Sequence, residues 1–210
     1  MFITFEGIEG TGKTTQIKLL ASWLEKKGSS VVLTREPGGT AIGDDIRRIL
    51  LDSRHQNMAP LAELLLYAAS RAQHLEEVIK PALKAKKMVL CDRFSDATTA
   101  YQGYGRNLPL ELIQKIHQIT SDTLIPHKTF LFDLPVEVGL KRAWHRIEKI
   151  KNGNKEDRFE KEALWFHQRI RDGYLRLAQN EPERFVIIDA NRDAEIVFNE
   201  IKKHVEKWIG

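Results

Sequence analysis

The sequence predicts an α/β fold in which helices cover both faces of a five-stranded parallel sheet. Five short apolar segments alternate with longer segments in which apolar residues recur at helical spacing. This alternation is typical of parallel sheets whose strands are joined by helices. The length of 210 residues suits one domain, and we expect a single domain over residues 1–210 with a small helical lid at about residues 142–160.

The first strand is predicted at Phe2–Glu6, ahead of a glycine-rich segment and an amphipathic helix at Thr14–Lys27. A turn then precedes a helix for which Asp44 is the predicted N-cap. Leu61 and Leu65 belong to the predicted apolar face of a long helix. The remaining strands are Ser30–Arg35, Lys87–Asp92, Thr129–Asp133 and Arg184–Asp189, and the remaining helices are Pro60–Lys84, Pro109–Thr123, Val136–Ile150, Glu160–Gln179 and Asp193–Trp208.

Composition and cysteine usage exclude several classes of protein. Apolar residues make up 42% of the chain and charged residues 30%, which is too apolar for a disordered protein. No apolar run reaches the roughly 18–20 residues of a membrane span, and the start lacks the basic region of a secretory signal. The single cysteine, Cys91, cannot form an internal disulfide, and the histidine spacing does not suit a zinc site. We expect a soluble, cytoplasmic protein without a membrane partner, with Cys91 in its core.

The positive charge of the chain is concentrated in one segment. The formal net charge is +4, but residues 141–171 hold ten Lys or Arg against five Asp or Glu, which gives +5. Such a segment is typical of binding to nucleotide phosphates or to a nucleic-acid backbone, although a solvated helix face has the same composition. Within it, the polar, glycine-containing stretch Lys149–Arg158 indicates a mobile flap between two helices.

The segment between the first strand and the first helix matches the pattern GxxxxGK[ST] in full, as Gly7-Ile8-Glu9-Gly10-Thr11-Gly12-Lys13-Thr14. In such a loop, backbone N–H groups and the N-terminus of the following helix surround phosphate oxygens. Lys13 would reach the β- and γ-phosphates, and the Thr14 hydroxyl would bind Mg²⁺. The loop therefore predicts the binding of a nucleoside triphosphate.

This loop does not choose among the classes of enzyme that contain it. Residues 154–157 fit the NKxD motif of GTPases, but no aspartate stands three residues before a glycine, so the DxxG motif is missing and a GTPase is excluded. Three predicted strands end in an aspartate that could contact Mg²⁺, namely Asp92, Asp133 and Asp189. We favour Asp92, because the neighbouring Arg93 could bind phosphate at the same strand end.

Six motifs in this order resemble those of the thymidylate kinase family, and the resemblance covers essentially the whole chain. The motifs are Phe5–Thr15, Arg35–Thr40, Leu66–Arg71, Asp92–Phe94, Ala100–Gly103 and Asp157–Glu160. The resemblance implies the fold of the P-loop nucleoside monophosphate kinases and transfer of the ATP γ-phosphate to dTMP, which gives dTDP and ADP. It also implies Mg²⁺ as cofactor, ATP as co-substrate and a homodimer formed through the helices around Pro60–Lys84 and Pro109–Thr123. Glycine at position 10 together with arginines in the lid resembles the bacterial type with a basic lid.

The resemblance further implies roles for individual residues. The loop residues 7–14 and Arg142 would bind ATP, and the catalytic residues would be Lys13, Arg93, Arg142, Arg146 and Arg158, the last three from the helix and lid that close over ATP. On the acceptor side, Glu9 would lie near the sugar 3′-hydroxyl and Glu36 beside the phosphate, which Arg47 and Arg93 would bind. Tyr67 would face the thymine ring, and Arg71 would donate a hydrogen bond to a base carbonyl. The base and deoxyribose would also be lined by Thr98, Tyr101 and Gln102. The metal ligands would be Thr14 and Asp92.

The spacing of Tyr67 and Arg71 agrees with these roles. They are four positions apart on the predicted helix, so they share one face and can flank a cleft beside its apolar stripe. The alternatives are a packing role for Tyr67 and a surface ion pair of Arg71 with Glu63 or Glu76. No general base is needed, because a phosphomonoester is already a dianion at neutral pH and charge repulsion is the obstacle to transfer.

Two other functions stay open on the sequence alone. A kinase for another nucleoside monophosphate such as dUMP would differ by contacts to one methyl group, worth about 1–3 kcal/mol. An ATP-dependent nucleic-acid binder would use the basic segment for salt-dependent affinity. We favour dTMP and expect no nucleic-acid partner, because the basic residues lie where a lid should be.

Overall fold

The computed structural model describes residues 1–121, 124–149 and 156–209 and confirms the predicted five-stranded parallel sheet. In chain order the strands are β1 (Phe2–Glu6), β2 (Val31–Arg35), β3 (Met88–Asp92), β4 (Lys128–Asp133) and β5 (Phe185–Asp189). They lie in the order β2-β3-β1-β4-β5, and every neighbouring pair is parallel. Their bounds agree with the prediction to within one residue.

Helices connect the strands. They are α1 (Lys13–Lys26), α2 (Ala41–Leu51), α3 (Pro60–His74), α4 (Lys80–Lys84), α5 (Ser95–Thr98), α6 (Leu110–Ser121), α7 (Val136–Glu148), α8 (Leu164–Asn180) and α9 (Ala194–Ile209). A π-helical segment at Leu75–Ile79 joins α3 to α4, so the predicted long helix is one continuous helical stretch. A second π-helical segment, Thr99–Gly105, continues α5.

Both faces of the sheet are buried along the inner strands β3, β1 and β4, whereas the edge strands β2 and β5 are partly exposed. Ile3 and Phe5 of β1 join a hydrophobic cluster with α1 and α9, whereas Phe2 belongs to a second cluster with the segment that follows α3. Because alternate residues of one strand face opposite sides of the sheet, β1 has apolar residues on both faces, and its polar residues Thr4 and Glu6 are buried as well. Cys91 of β3 is fully buried as predicted, and burial raises the pKa of its thiol well above the usual range.

Thr40, and not Asp44, caps α2, so the sequence prediction at this position is wrong. The Thr40 hydroxyl accepts a hydrogen bond from the Gly43 N–H over 2.9 Å. Asp44 lies in the first helical turn, where its carboxylate accepts from the Gly39 N–H over 3.3 Å and pairs with Arg35 at 3.2 Å. Both side chains suit a helix N-terminus, and the turn before the helix decides which of them occupies the cap.

The segment from Ser95 to Gly105 is helical although its sequence predicts no helix. Threonine and glycine are poor helix formers, so packing determines the conformation. A Cβ added at Gly105 would lie 2.8 Å from the Phe166 ring of α8, and only glycine allows this approach. A second difference concerns Leu61 and Leu65 of α3, which are 49% and 48% exposed and not part of the core.

Residues 150–155 of the predicted flap Lys149–Arg158, and of the predicted lid at 142–160, lie outside the described residues. The described parts of that lid are the end of α7 and the segment from Glu156 onward, where Glu156 makes a β-bridge with Asp52. Within the described residues, no helix combines the length and apolar character of a membrane span.

Replacing Thr40 with alanine should lower the free energy of unfolding by about 1 kcal/mol, because the α2 N-terminus loses its side-chain acceptor. Urea denaturation monitored by circular dichroism measures this loss. Asp44→Ala is the matched control and should cost less, since it removes a partly exposed ion pair. A larger loss from Asp44→Ala than from Thr40→Ala would restore Asp44 as the cap.

Candidate active site

A cavity lies at the edge of the sheet where the neighbouring strands β1 and β3 end. The register of β1 and β3 places Phe5 opposite Asp92, and the Arg93 N–H donates to the Phe5 carbonyl oxygen over 3.0 Å. Because parallel strands present their carboxyl ends at the same edge, the loop after β1 and the residues after β3 share a cavity of about 480 Å³.

Most of the predicted site residues line this cavity. They are Glu9, Gly10, Thr11, Gly12, Lys13, Thr14, Glu36, Arg47, Tyr67, Arg71, Asp92, Arg93, Thr98, Tyr101, Gln102 and Arg146. Four predicted residues contribute no atoms to the lining that the structure describes, namely Gly7, Ile8, Arg142 and Arg158. The predicted nucleotide loop and the predicted acceptor residues therefore line the same cavity. Of the three predicted lid arginines, only Arg146 lines it within the described residues.

The loop holds the Lys13 side chain against its own backbone. The Lys13 ammonium donates to the carbonyl oxygens of Gly7 and Ile8 over 2.9 and 2.7 Å and to the Thr11 hydroxyl over 3.0 Å. Burial, together with the nearby Arg93 charge, lowers the pKa of Lys13 to about 7. Anionic phosphate bound at the loop would therefore stabilise the charged form of Lys13.

Two glycines pack the loop directly on α7. A Cβ at Gly10, whose φ is +72°, would lie 1.9 Å from the Gly139 carbonyl oxygen, and a Cβ at Gly139 would lie 2.6 Å from the Glu9 carbonyl oxygen. Neither distance is possible for a side-chain carbon, so both positions require glycine. Backbone contact therefore fixes the loop relative to the helix that bears Arg142 and Arg146.

Thr14 and Asp92 form the candidate metal site. The Thr14 hydroxyl donates to the Asp92 carboxylate over 2.7 Å, and both residues line the cavity. A hydroxyl and a carboxylate at this spacing fit Mg²⁺, which takes oxygen ligands and completes its shell with water and phosphate. The competing aspartates are engaged elsewhere, since Asp133 makes a bidentate pair with Arg171 at 2.7 and 2.9 Å and Asp189 accepts from the Asn191 N–H.

Arg93 lines the cavity together with the nucleotide loop and Glu36. Its backbone is left-handed, with φ +71°, which is rare for a residue with a side chain. The guanidinium donates to the Tyr174 hydroxyl over 3.1 Å and to the Glu9 carboxylate over 3.2 Å. Tyr174 in turn donates to the buried Glu6 over 2.7 Å, and burial raises the pKa of Glu6 to about 8. The sequence did not predict this chain of hydrogen bonds from Arg93 through Tyr174 to Glu6, because Glu6 and Tyr174 are 168 residues apart.

Glu36 organises the acceptor side of the cavity. Its carboxylate accepts from the Arg71 Nε over 2.8 Å and contacts the His74 Nδ1 at 3.0 Å. Arg71 is 1% exposed and also donates to the Thr98 hydroxyl over 2.8 Å, so the surface pair with Glu63 or Glu76 is excluded. Sequence analysis missed His74, although its position three residues after Arg71 puts it on the same helix face.

Arg158 is buried away from the cavity. It donates to the Glu63 carboxylate over 2.5 Å, to the Leu50 carbonyl oxygen over 3.1 Å and to the His55 carbonyl oxygen over 3.2 Å. Glu63 is fully buried and also accepts from Gln102 over 2.7 Å. In this arrangement Arg158 neutralises a buried carboxylate, and its role at the ATP phosphates stays a prediction.

The remaining predicted arginines, Arg146, Arg142 and Arg47, each contact an acceptor of the protein itself. Arg146 lines the cavity 3.5 Å from Glu160, and burial raises the pKa of Glu160 to about 7. Arg142 lies at the turn after β5, where it donates to the Ala190 carbonyl oxygen over 3.0 Å. Arg47, which we expect to bind the acceptor phosphate, forms an ion pair at 2.6 Å with Glu156 of the described lid segment.

The chain is similar to known proteins over almost its whole length. The family model for thymidylate kinase matches residues 5–201. Thymidylate kinases from Geotalea daltonii and Geobacter sulfurreducens are 60% and 56% identical to the chain over 194 residues, which cover 92% of this chain and 91% of each relative. The crystal structure of thymidylate kinase from Ehrlichia chaffeensis has a TM-score of 0.78 and 36% sequence identity, with 98% of both chains covered. The chain therefore belongs to the thymidylate kinase family.

Proposed function

We propose that the chain transfers the γ-phosphoryl group of ATP to dTMP and so forms dTDP and ADP. The observation that carries this proposal is that Arg93 lines one cavity together with the nucleotide loop and Glu36. A group that lies between two phosphate sites can hold both polyanions in line and offset their repulsion. Family membership agrees with this reaction.

The ATP side rests on the loop and on Lys13. Backbone N–H groups at the start of α1 would surround the phosphate oxygens, and Lys13 would exchange its carbonyl acceptors for the β- and γ-phosphates. Thr14 and Asp92 would hold Mg²⁺, which when bound neutralises charge on these phosphates. Arg142, Arg146 and Arg158 are proposed to close over ATP, which for Arg158 requires release from Glu63.

The acceptor side rests on groups that are already oriented. Arg71 is held by Glu36 and Thr98, so its remaining N–H groups can meet a base carbonyl, while Tyr67 offers a ring for stacking worth roughly 1–3 kcal/mol. Glu9 and Tyr101 would contact the deoxyribose. Arg93 and Arg47 would bind the acceptor phosphate, whose second ionisation makes it a nucleophile without a general base.

We further propose one kinase domain over residues 1–210, a cytoplasmic location and a homodimer. The dimer is supported by half-exposed leucines on two packed helices, Leu61 and Leu65 of α3 and Leu110 of α6. Leucines that pair with a second copy would explain an apolar face that the core does not use.

Steady-state rates with dTMP, dUMP, CMP and AMP test the substrate assignment. dTMP should give the largest kcat/KM, and dUMP should be poorer by about 5- to 150-fold, since a methyl group in an apolar site is worth about 1–3 kcal/mol. A clear preference for any of the other three nucleotides would overturn the assignment.

Binding of Mg²⁺–ATP without acceptor should take up a proton at pH 8. The pKa of Lys13 near 7 leaves it largely neutral at pH 8, and the phosphates would raise that pKa on binding. Affinity should therefore fall as pH rises above 7, by up to about tenfold per pH unit. Calorimetry in buffers of different ionisation enthalpy measures the uptake, and equal uptake in Lys13→Met would contradict the role of Lys13.

Gly139→Ala should weaken ATP binding by about tenfold or more, because the new methyl group would overlap the Glu9 carbonyl oxygen and displace the loop. Equilibrium binding of ATP measures the effect. Gly28→Ala is the control, since a Cβ there would meet no atom within 4 Å, and it should leave ATP affinity unchanged. Wild-type affinity in Gly139→Ala would show that the glycine contact does not position the loop.

A further inference from the structure

The two oxygens of the Glu9 carboxylate have different surroundings. Oε1 accepts hydrogen bonds from the Tyr101 hydroxyl and, over 3.2 Å, from Arg93. Oε2 is buried and makes no hydrogen bond to any residue that the structure describes. The group facing Oε2 is the imidazole of His167, whose Nδ1 lies 3.3 Å away.

His167 is a fully buried residue of α8 that does not line the cavity. Neither ring nitrogen forms a hydrogen bond within the described part of the chain, and the ring packs edge-on against Phe166 at 5.6 Å. Buried polar atoms are costly without a partner. A small rotation of the His167 ring would therefore let Nδ1 donate a hydrogen bond to Glu9 Oε2.

The charge state of Glu9 agrees with this pairing. Burial alone would raise the pKa of Glu9, but the proximity of His167 and the charge of Arg93 hold it below its usual range. The carboxylate thus stays ionised and can only accept hydrogen bonds, which Arg93 and Tyr101 donate. Both donors also line the cavity and are available to substrate.

We propose that His167 is a positioning residue that keeps the Glu9 carboxylate turned toward the 3′-hydroxyl of the acceptor sugar. The inference rests on the proposed function, in which Glu9 contacts that hydroxyl. When Arg93 turns to the acceptor phosphate, Tyr101 alone would hold Oε1, and the carboxylate could rotate about its side chain. His167 does not line the cavity, so its N–H would remain available to Oε2 throughout the reaction.

The test compares dTMP with 3′-deoxythymidine monophosphate in the wild type and in His167→Leu. A hydrogen bond to a charged group should make the wild type prefer dTMP by roughly 10- to 100-fold in kcat/KM. His167→Leu should reduce this preference by at least about fivefold, mainly through the KM for dTMP, because the carboxylate is no longer oriented. A purely structural role would lower kcat/KM for both nucleotides by the same factor and would overturn the proposal.

Conservative variants keep the test decisive if His167→Leu does not fold. His167→Asn places an N–H near the position of Nδ1 and should retain the preference, whereas His167→Gln places it farther along and should lose it. Equal preferences in these two variants would overturn the proposal. His204→Leu, at a half-buried histidine packed on Phe130 and Trp208, should keep the wild-type preference. A wild type that does not distinguish the two nucleotides would overturn the sugar contact of Glu9 itself, whereas failure to phosphorylate dTMP would overturn the proposed function.

Discussion

The pairing of β1 with β3 is the constraint on which the candidate active site depends. This register places the nucleotide loop beside Asp92 and Arg93, so that the Thr14 hydroxyl meets the Asp92 carboxylate at 2.7 Å. A slip of one residue would turn the side chains of β3 to the opposite face of the sheet and separate these groups. Burial of both faces prevents the slip, because each residue of β1 has an apolar cluster or a buried polar partner on its own side.

Buried carboxylates organise the cations around the cavity. Glu36 fixes Arg71 on the acceptor side, and Glu63 fixes Arg158 beneath it. Loss of one partner from a buried pair typically costs about 3–5 kcal/mol, since the other charge is left without compensation. These pairs therefore fix the orientation of Arg71 and Arg158 before nucleotides bind.

Features that depend on neighbouring residues were predictable from the sequence, and features that depend on distant partners were not. All five strands and the nucleotide loop follow from local patterns, and the adjacent Arg93 sufficed to favour Asp92 among three aspartates. The positions of His167 and Arg158 could not be inferred, because their partners Glu9 and Glu63 lie 158 and 95 residues away along the chain. The helix after β3 was missed for the same reason, since contact with α8 outweighs its poor helix propensity.

Because Cys91 is buried, its reactivity reports how often β3 separates from its neighbouring strands. The single thiol lies in β3, fully covered, with its sulfur 3.0 Å from the Arg93 carbonyl oxygen. Alkylating reagents attack the thiolate, so a covered thiol with a raised pKa reacts only when the strand separates from its neighbours. The alkylation rate consequently measures the frequency of that separation at the central part of the sheet, without an introduced label. Because this strand leads directly into Arg93, ligands that bind there would slow the modification in proportion to their occupancy.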